Sequence, residues 1–208
     1  MSQAQYNLYG QFMDQDRLER QIRFILEIDK LKRIVRRSYL LDQQRQENAA
    51  EHSWHLAVIA MLLGEHAEAP VAVSRVVEML LVHDLVEIDA GDAYIYDAEA
   101  TRNQAAREAE AARRIFGLLP ADQADMMWAL WTEFEAGVTP EARFAKALDR
   151  LMPLLHNYYT EGRSWREHGI TSAQVLTRNA SVKTVSGPLW RLIRRLVEEA
   201  VAKGYLAA

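Results

Sequence analysis

The sequence predicts an all-α protein, a helical bundle with a C-terminal helical extension. Two observations carry that expectation. Apolar residues recur at three-to-four spacing through most of the chain, the period of a helix with one covered face. No stretch alternates apolar and polar residues as a half-buried strand would, and there is neither a repeat nor low complexity.

In order along the chain, residues 1–13 read as a loose or capping arm. From Asp14 to about Val35, the residues Leu18, Ile22, Ile25, Leu26, Ile28, Leu31 and Ile34 keep an approximately helical period. Residues 36–48 are polar and irregular, and read as a loop holding Arg36, Arg37 and Arg45. An arginine folded from such a loop over a cation would clamp a phosphate. Asn48 is a good N-cap for a helix to about Glu68, apolar on most sides and therefore expected to be buried. Pro70 is expected to open a third helix, running to His83, with Gly91 marking its end or a turn just beyond.

Ala98 to Phe116 reads as a long, partly exposed helix closed by Gly117 and Pro120, followed by another over Ala121 to Ala136. Pro140 starts a strongly periodic helix through Phe144, Leu148, Leu151 and Leu155, with Pro153 expected to kink it. Residues 161–169 read as a loop. Helices over 171–180 and 188–203, divided by Gly187 and Pro188, finish the chain. The domain expectation is an arm (1–13), a bundle (14–160) and a C-terminal segment (161–208) packing on the same domain.

Composition narrows the class. The chain has 208 residues, enough for one core, with 50% hydrophobic and 26% charged residues. A net charge of −4 argues against a nucleic-acid groove. The N-terminus shows no secretion signal, and no apolar stretch reaches membrane-spanning length, so a soluble cytoplasmic protein is expected. With no cysteine present, any metal must be held by imidazole and carboxylate.

The chemistry concentrates in Leu80 to Asp92, where His83 and Asp84 stand side by side and Glu87 follows three residues later. Adjacent helical residues point about 100° apart, so the doublet can share one ion only from a helix edge, with Glu87 overhanging it. Of the six histidines, His52 lies on a helix expected to be buried, where an imidazole needs a partner. Asp149 sits among core-like leucines and is either paired with Arg150 or used as a ligand. His66 reads as a surface residue, and His156 and His168 as structural.

Three blocks in this order resemble the HD-domain superfamily of metal-dependent phosphohydrolases, on its 5′-deoxynucleotidase branch. They are Arg45-Gln-Glu-Asn-Ala-Ala-Glu-His-Ser, His83-Asp-Leu-Val-Glu-Ile-Asp-Ala-Gly-Asp and Lys146-Ala-Leu-Asp-Arg-Leu, and the resemblance covers about residues 15–160. It implies an HD-domain bundle in which His52, His83, Asp84 and Asp149 ligate one divalent ion (Co, Mn, Ni, Zn or Mg). Glu87 would be the catalytic carboxylate beside the ligand Asp84, Arg36 or failing that Arg37 would hold the phosphate, and Asp92 would face the sugar. Such an ion lowers the pKa of a bound water for attack on phosphorus. Two-metal relatives carry extra histidines between positions that correspond here to His83 and His156, where this chain has none, so a one-metal phosphomonoesterase is expected.

The branch also has a Trp directly after its phosphate Arg, shaping the sugar pocket. Here Arg37, Ser38 and Tyr39 follow Arg36, so Tyr39 is the candidate substitute and only a modest deoxyribose preference is expected. The resemblance further implies a small-molecule nucleotide substrate and a homodimer. The competing readings are an HD hydrolase of nucleoside triphosphates or an alarmone, using Arg163, Arg166, Arg178 and Lys183, and a non-catalytic metal- or ligand-binding helical protein. Glu87 argues against the last.

Overall fold

The computed structural model describes residues 3–92 and 103–208, with side chains from residue 16 onward. Among these the protein is helical, with one small antiparallel hairpin. Helix α1 (Gln3–Ile28) begins inside the stretch expected as a loose arm, and a 3₁₀ turn (Asp29–Arg33) follows it. Arg17 pairs with Asp122, and the Arg20 guanidinium donates to the carbonyls of Gly117, Leu118 and Leu119. Those contacts fasten α1 to the far end of the bundle and satisfy helix-terminal oxygens.

The segment expected as a loop is the hairpin. Strand β1 (Val35–Tyr39) pairs with β2 (Gln46–Asn48), with an irregular register between Val35 and Tyr39. Both strands are short and polar, so they carry no alternation of hydrophobicity from which to predict them. The fold uses them differently: Ser38 and Glu47 are buried, and Arg36 points inward between them in sequence.

Helix α2 (Ala49–Leu63) starts with a reciprocal cap. Asn48 Oδ1 accepts from the Glu51 amide at 3.0 Å, and the Asn48 amide donates to Glu51 Oε2 at 3.1 Å. Arg45 pairs with that same Glu51 and stays exposed, so it does not fold over the site. The helix was expected to be covered on most sides, but only one face is. Leu56 and Ala60 are wholly buried, while Trp54, Met61 and Leu62 are each more than 60% exposed.

Helix α3 (Val73–Val82) starts three residues after Pro70 and packs against α2. The chain then tightens into a 3₁₀ turn (His83–Val86) before the single turn α4 (Glu87–Ala90). Gly91 stops α4 at φ 75° and ψ 154°, a backbone conformation open essentially to glycine. Of the helix expected over 98–116, the described part is α5 (Gln104–Phe116), and residues 98–102 lie outside the described residues. Helix α6 (Ala121–Ala136) has the expected bounds.

Helix α7 (Pro140–Tyr159) is capped by Thr139, whose Oγ1 accepts from the Ala142 amide, and it continues through Pro153. It packs against α2 and α3, and its core face includes Phe144, Leu148 and Leu151. The expected loop over 161–169 contains α8 (Arg163–Glu167). Then come α9 (Ser172–Asn179) and α10 (Gly187–Ala202), both close to expectation and both packed on α7. Gly162, at φ 73°, lets the tail pass closely, since a Cβ there would lie 1.9 Å from the Tyr205 carbonyl oxygen. No helix among the described residues is long and apolar enough to cross a membrane.

Candidate metal centre and cavity

Four elements converge on one buried cluster. His52 enters from the first turn of α2, His83 and Asp84 from the 3₁₀ turn after α3, Asp149 from the middle of α7, and Arg36 from β1. His52 Nε2 lies 2.9 Å from Asp149 Oδ1, and His83 Nε2 lies 3.8 Å from the same oxygen. Potential ligand atoms of His52, His83 and Asp149 all fall within 4.8 Å of one another, as ligands of one small cation require. Asp84 Oδ1 adds a fourth candidate ligand atom, 3.0 Å from His83 Nε2. Arg150, the alternative partner for Asp149, instead bonds Ser181.

The histidines are held for ligation. His83 Nδ1 lies 2.8 Å from the Leu80 carbonyl oxygen, which fixes that nitrogen as the donor and turns Nε2 toward the acids. His52 Nδ1 is 3.3 Å from Glu47 Oε2, a carboxylate that reads from sequence only as part of a polar loop. His83 Nε2 is buried without a hydrogen bond, because Asp84 is close but off the N–H line. A buried imidazole nitrogen left unbonded among carboxylates fits a divalent cation better than a closed hydrogen-bond network.

Protonation follows the same geometry. Burial alone would lift Asp149, but the hydrogen bond from His52 and the neighbouring His83 ring outweigh it and hold the carboxyl well below the usual range. Burial likewise opposes the charge on His83, but Asp84 and then Asp149 raise its pKa well above the ordinary value. Glu87 goes the other way. Burial, reinforced by the Asp84 charge, pushes its pKa well up. Its Oε2 is buried with no partner, and its Oε1 lies 3.9 Å from the Arg36 guanidinium.

Arg36 is the cluster's cation. Its guanidinium donates to Asp84 Oδ2 at 2.8 Å and stands 3.9 Å from carboxylate oxygens of Glu47, Glu87 and Asp149. Arg37, next along β1, is exposed and reaches only the rim. Tyr39 corrects an expectation. It does not line the cavity, because its hydroxyl donates to Glu167 and its ring lies 3.8 Å below the Arg163 guanidinium.

The cluster forms one pole of a cavity of about 290 Å³. Asp92 and Glu108 continue the acidic side, both with pKa raised chiefly by burial. The lining also includes Leu154 of α7 and, from the C-terminal segment, Trp165, Val175 and Asn179. Trp165 is set by Asn157, whose Oδ1 accepts from the Trp165 amide at 3.1 Å and whose Nδ2 donates to the Pro153 carbonyl at 2.9 Å. Nothing in the sequence pattern joins Trp165 to the His-Asp doublet, since only the return of α8 across α7 does so.

A family model described as HD domain matches residues 28–190. The chain belongs to the HD-domain family. The match extends past the bundle expected to end at residue 160 and takes in α8 and α9. The human protein named 5′-deoxynucleotidase HDDC2 is 32% identical over 135 residues, 64% of this chain. The same alignment spans 65% of the human protein's length. Among solved structures, a predicted metal-dependent phosphohydrolase from Magnetospirillum magnetotacticum is 52% identical, with a TM-score of 0.89. That alignment covers 93% of this HD-domain chain and 97% of the other. An HD-domain phosphohydrolase from Listeria innocua shares the fold at 16% identity, with a TM-score of 0.62 over 88% of this chain and 90% of that one.

Proposed function

We propose that this HD domain is a metal-dependent phosphohydrolase releasing phosphate from nucleoside 5′-monophosphates. The observation that carries the proposal is the composition of one cavity. Its lining joins an imidazole–carboxylate cluster, with Arg36 and a spare acid, to aromatic and aliphatic side chains. The relatives named above support the same reading.

His52, His83, Asp84 and Asp149 would hold one divalent cation. When bound, it supplies Lewis acidity and a water of lowered pKa. Arg36 has five donors, of which Asp84 takes one, so the guanidinium can hold phosphate oxygens against the pole. Water adds to phosphorus as the bond to the 5′-oxygen breaks, and that oxygen leaves with a proton as the nucleoside hydroxyl. Glu87 is the proton-transfer group. Its Oε2 is buried without a hydrogen-bond partner, and burial raises its pKa, which suits a carboxyl that gives up a proton. Asp92 faces the sugar, and Trp165 with Val175 packs the base.

The geometry favours a monophosphate over longer phosphate chains. Of the basic residues expected to serve a triphosphate or alarmone, Arg163 bonds the Gln43 carbonyl and Glu167, and Arg166 bonds the Glu161 carbonyl. Among those four only Arg178 lines the cavity. Tyr39 lies outside it, so no aromatic residue of β1 crowds a ribose 2′-hydroxyl and the deoxy preference is modest. The test is a metal-supplemented screen of paired ribo- and deoxyribonucleotides with phosphate release as readout. Release of pyrophosphate or triphosphate instead of phosphate would refute the reaction class. A deoxy preference of ~1,000-fold, about 4 kcal/mol, would refute the sugar reading.

We also propose a homodimer. Leu18, Ile22, Ile25 and Leu26 on α1, and Trp54, Val58, Met61 and Leu62 on α2, form exposed apolar stripes with the same spacing. Such stripes are normally covered. Light scattering of wild type and Met61→Asp tests the dimer, with a monomeric wild type as the refuting result.

A further inference from the structure

The helices that present His52 and Asp149 repeat the arrangement one step along. His55 follows His52 by three residues on α2, and His156 follows Asp149 by seven on α7, two turns further on roughly the same face. Their rings come together with centroids 6.2 Å apart. Glu47, the middle residue of β2, points in beside them, with its Oε2 3.8 Å from His156 Nδ1. Ligand atoms of Glu47, His55 and His156 all lie within 4.8 Å of one another.

Two of these atoms are in an expensive state. Glu47 and His156 are 2% and 4% exposed, and both Glu47 Oε2 and His156 Nδ1 are buried without a hydrogen bond. The cationic neighbours do not resolve this. Arg36 Nε stays 3.9 Å from Glu47 Oε2, and His52 Nδ1 at 3.3 Å is off the N–H line. A carboxylate oxygen and an imidazole nitrogen too far apart to bond each other, yet both withdrawn from water, are spaced as two ligands of one cation. At metal–ligand distances of about 2.0–2.2 Å, ligand atoms across a tetrahedral centre stand roughly 3.3–3.6 Å apart, more at wider angles. His55 is half-buried and gives the cluster its way to solvent.

We infer that Glu47, His55 and His156 form a second divalent-cation site, separate from the His52–His83–Asp84–Asp149 cluster. Two imidazoles and one carboxylate suit a borderline ion such as Zn²⁺, Co²⁺ or Ni²⁺, with water completing the coordination. None of the three residues lines the cavity, so this ion does not meet substrate. It acts through Glu47, which lies between it and His52. The chain thus holds two ions where the count of histidines between His83 and His156 suggests one.

The experiment is equilibrium dialysis of the full chain against Co²⁺, with metal and protein quantified and the visible absorption of bound Co²⁺ recorded. Wild type should bind two equivalents with two distinguishable spectra. His156→Ala and His55→Ala should each bind one, losing the same spectral component, and Asp84→Ala should keep that component. His55 is half-buried, so its variant decides the matter even where His156→Ala folds poorly. A single equivalent in wild type, or two equivalents retained by His55→Ala, overturns the site.

Discussion

The two imidazole–carboxylate clusters are built from α2 and α7 and differ in what surrounds them. Around His52 and His83 stand Asp84, Asp149 and Glu87 together with Arg36, besides the Glu47 that both clusters share, and the group opens into the cavity. Around His55 and His156 stands one carboxylate, Glu47, and no cavity. The donor atoms are similar, so ligand type alone does not distinguish a reaction centre from a holding site. The distinction comes from a spare acid with a raised pKa, a guanidinium for the phosphate and room for a substrate.

The proton linkage of the two clusters is also opposite. Acids beside His83 raise its pKa, whereas burial, and then the neighbouring His55 and His52, lower that of His156 against the pull of Glu47. Metal-free, the first cluster therefore favours the charged imidazole of His83, and the second favours the neutral ring of His156.

The sharpest way to break the comparison is Glu87→Gln. It removes the acid that only the first cluster has, so turnover should fall ~10²–10⁴-fold while bound metal is unchanged. Phosphate-release rates beside elemental analysis check this, and loss of metal along with rate would make Glu87 a ligand.

Glu47→Gln touches both clusters. It should remove the second ion and weaken the first by about 10–100-fold, the usual cost of losing the carboxylate behind a ligating histidine. Titration with a competing chelator measures both. An unchanged first affinity would show that His52 needs no such support.

The smallest effect is in pH. Because the folded pKa of His83 lies above its ordinary 6.5, its pairing with the acids stabilises the metal-free protein fully below about that value. The contribution is lost as pH rises through the folded pKa. His156 has the reverse sign. Its folded pKa is depressed, so its neutral form is no handicap above the ordinary value, and stability is lost as pH falls below it toward the folded one. Binding of the first ion should therefore be accompanied by proton release from His83, since ligation needs the neutral ring. Calorimetry in buffers of different ionisation enthalpy reads that proton, and in Asp84→Ala, where only the second site loads, His156 should release none.

What the sequence determined by itself is local. The α2 cap at Asn48, the bounds of α6, the start of α7 at Pro140 and the stop at Gly91 all follow from backbone requirements visible within a few residues. The His83-Asp84 doublet with Glu87 one turn on is equally local. Tertiary structure decided everything that depends on which surfaces meet. The polar hairpin has no pattern of its own and exists because Arg36 and Glu47 have buried charges to reach. Tyr39 is turned out by that hairpin, and Trp165 is brought in by a segment more than seventy residues beyond the doublet. His156 looks structural in sequence and becomes a candidate ligand only beside Glu47. The apolar turns of α2 suggest burial, yet Trp54, Val58, Met61 and Leu62 face outward, because periodicity records which residues can be covered while packing decides which are.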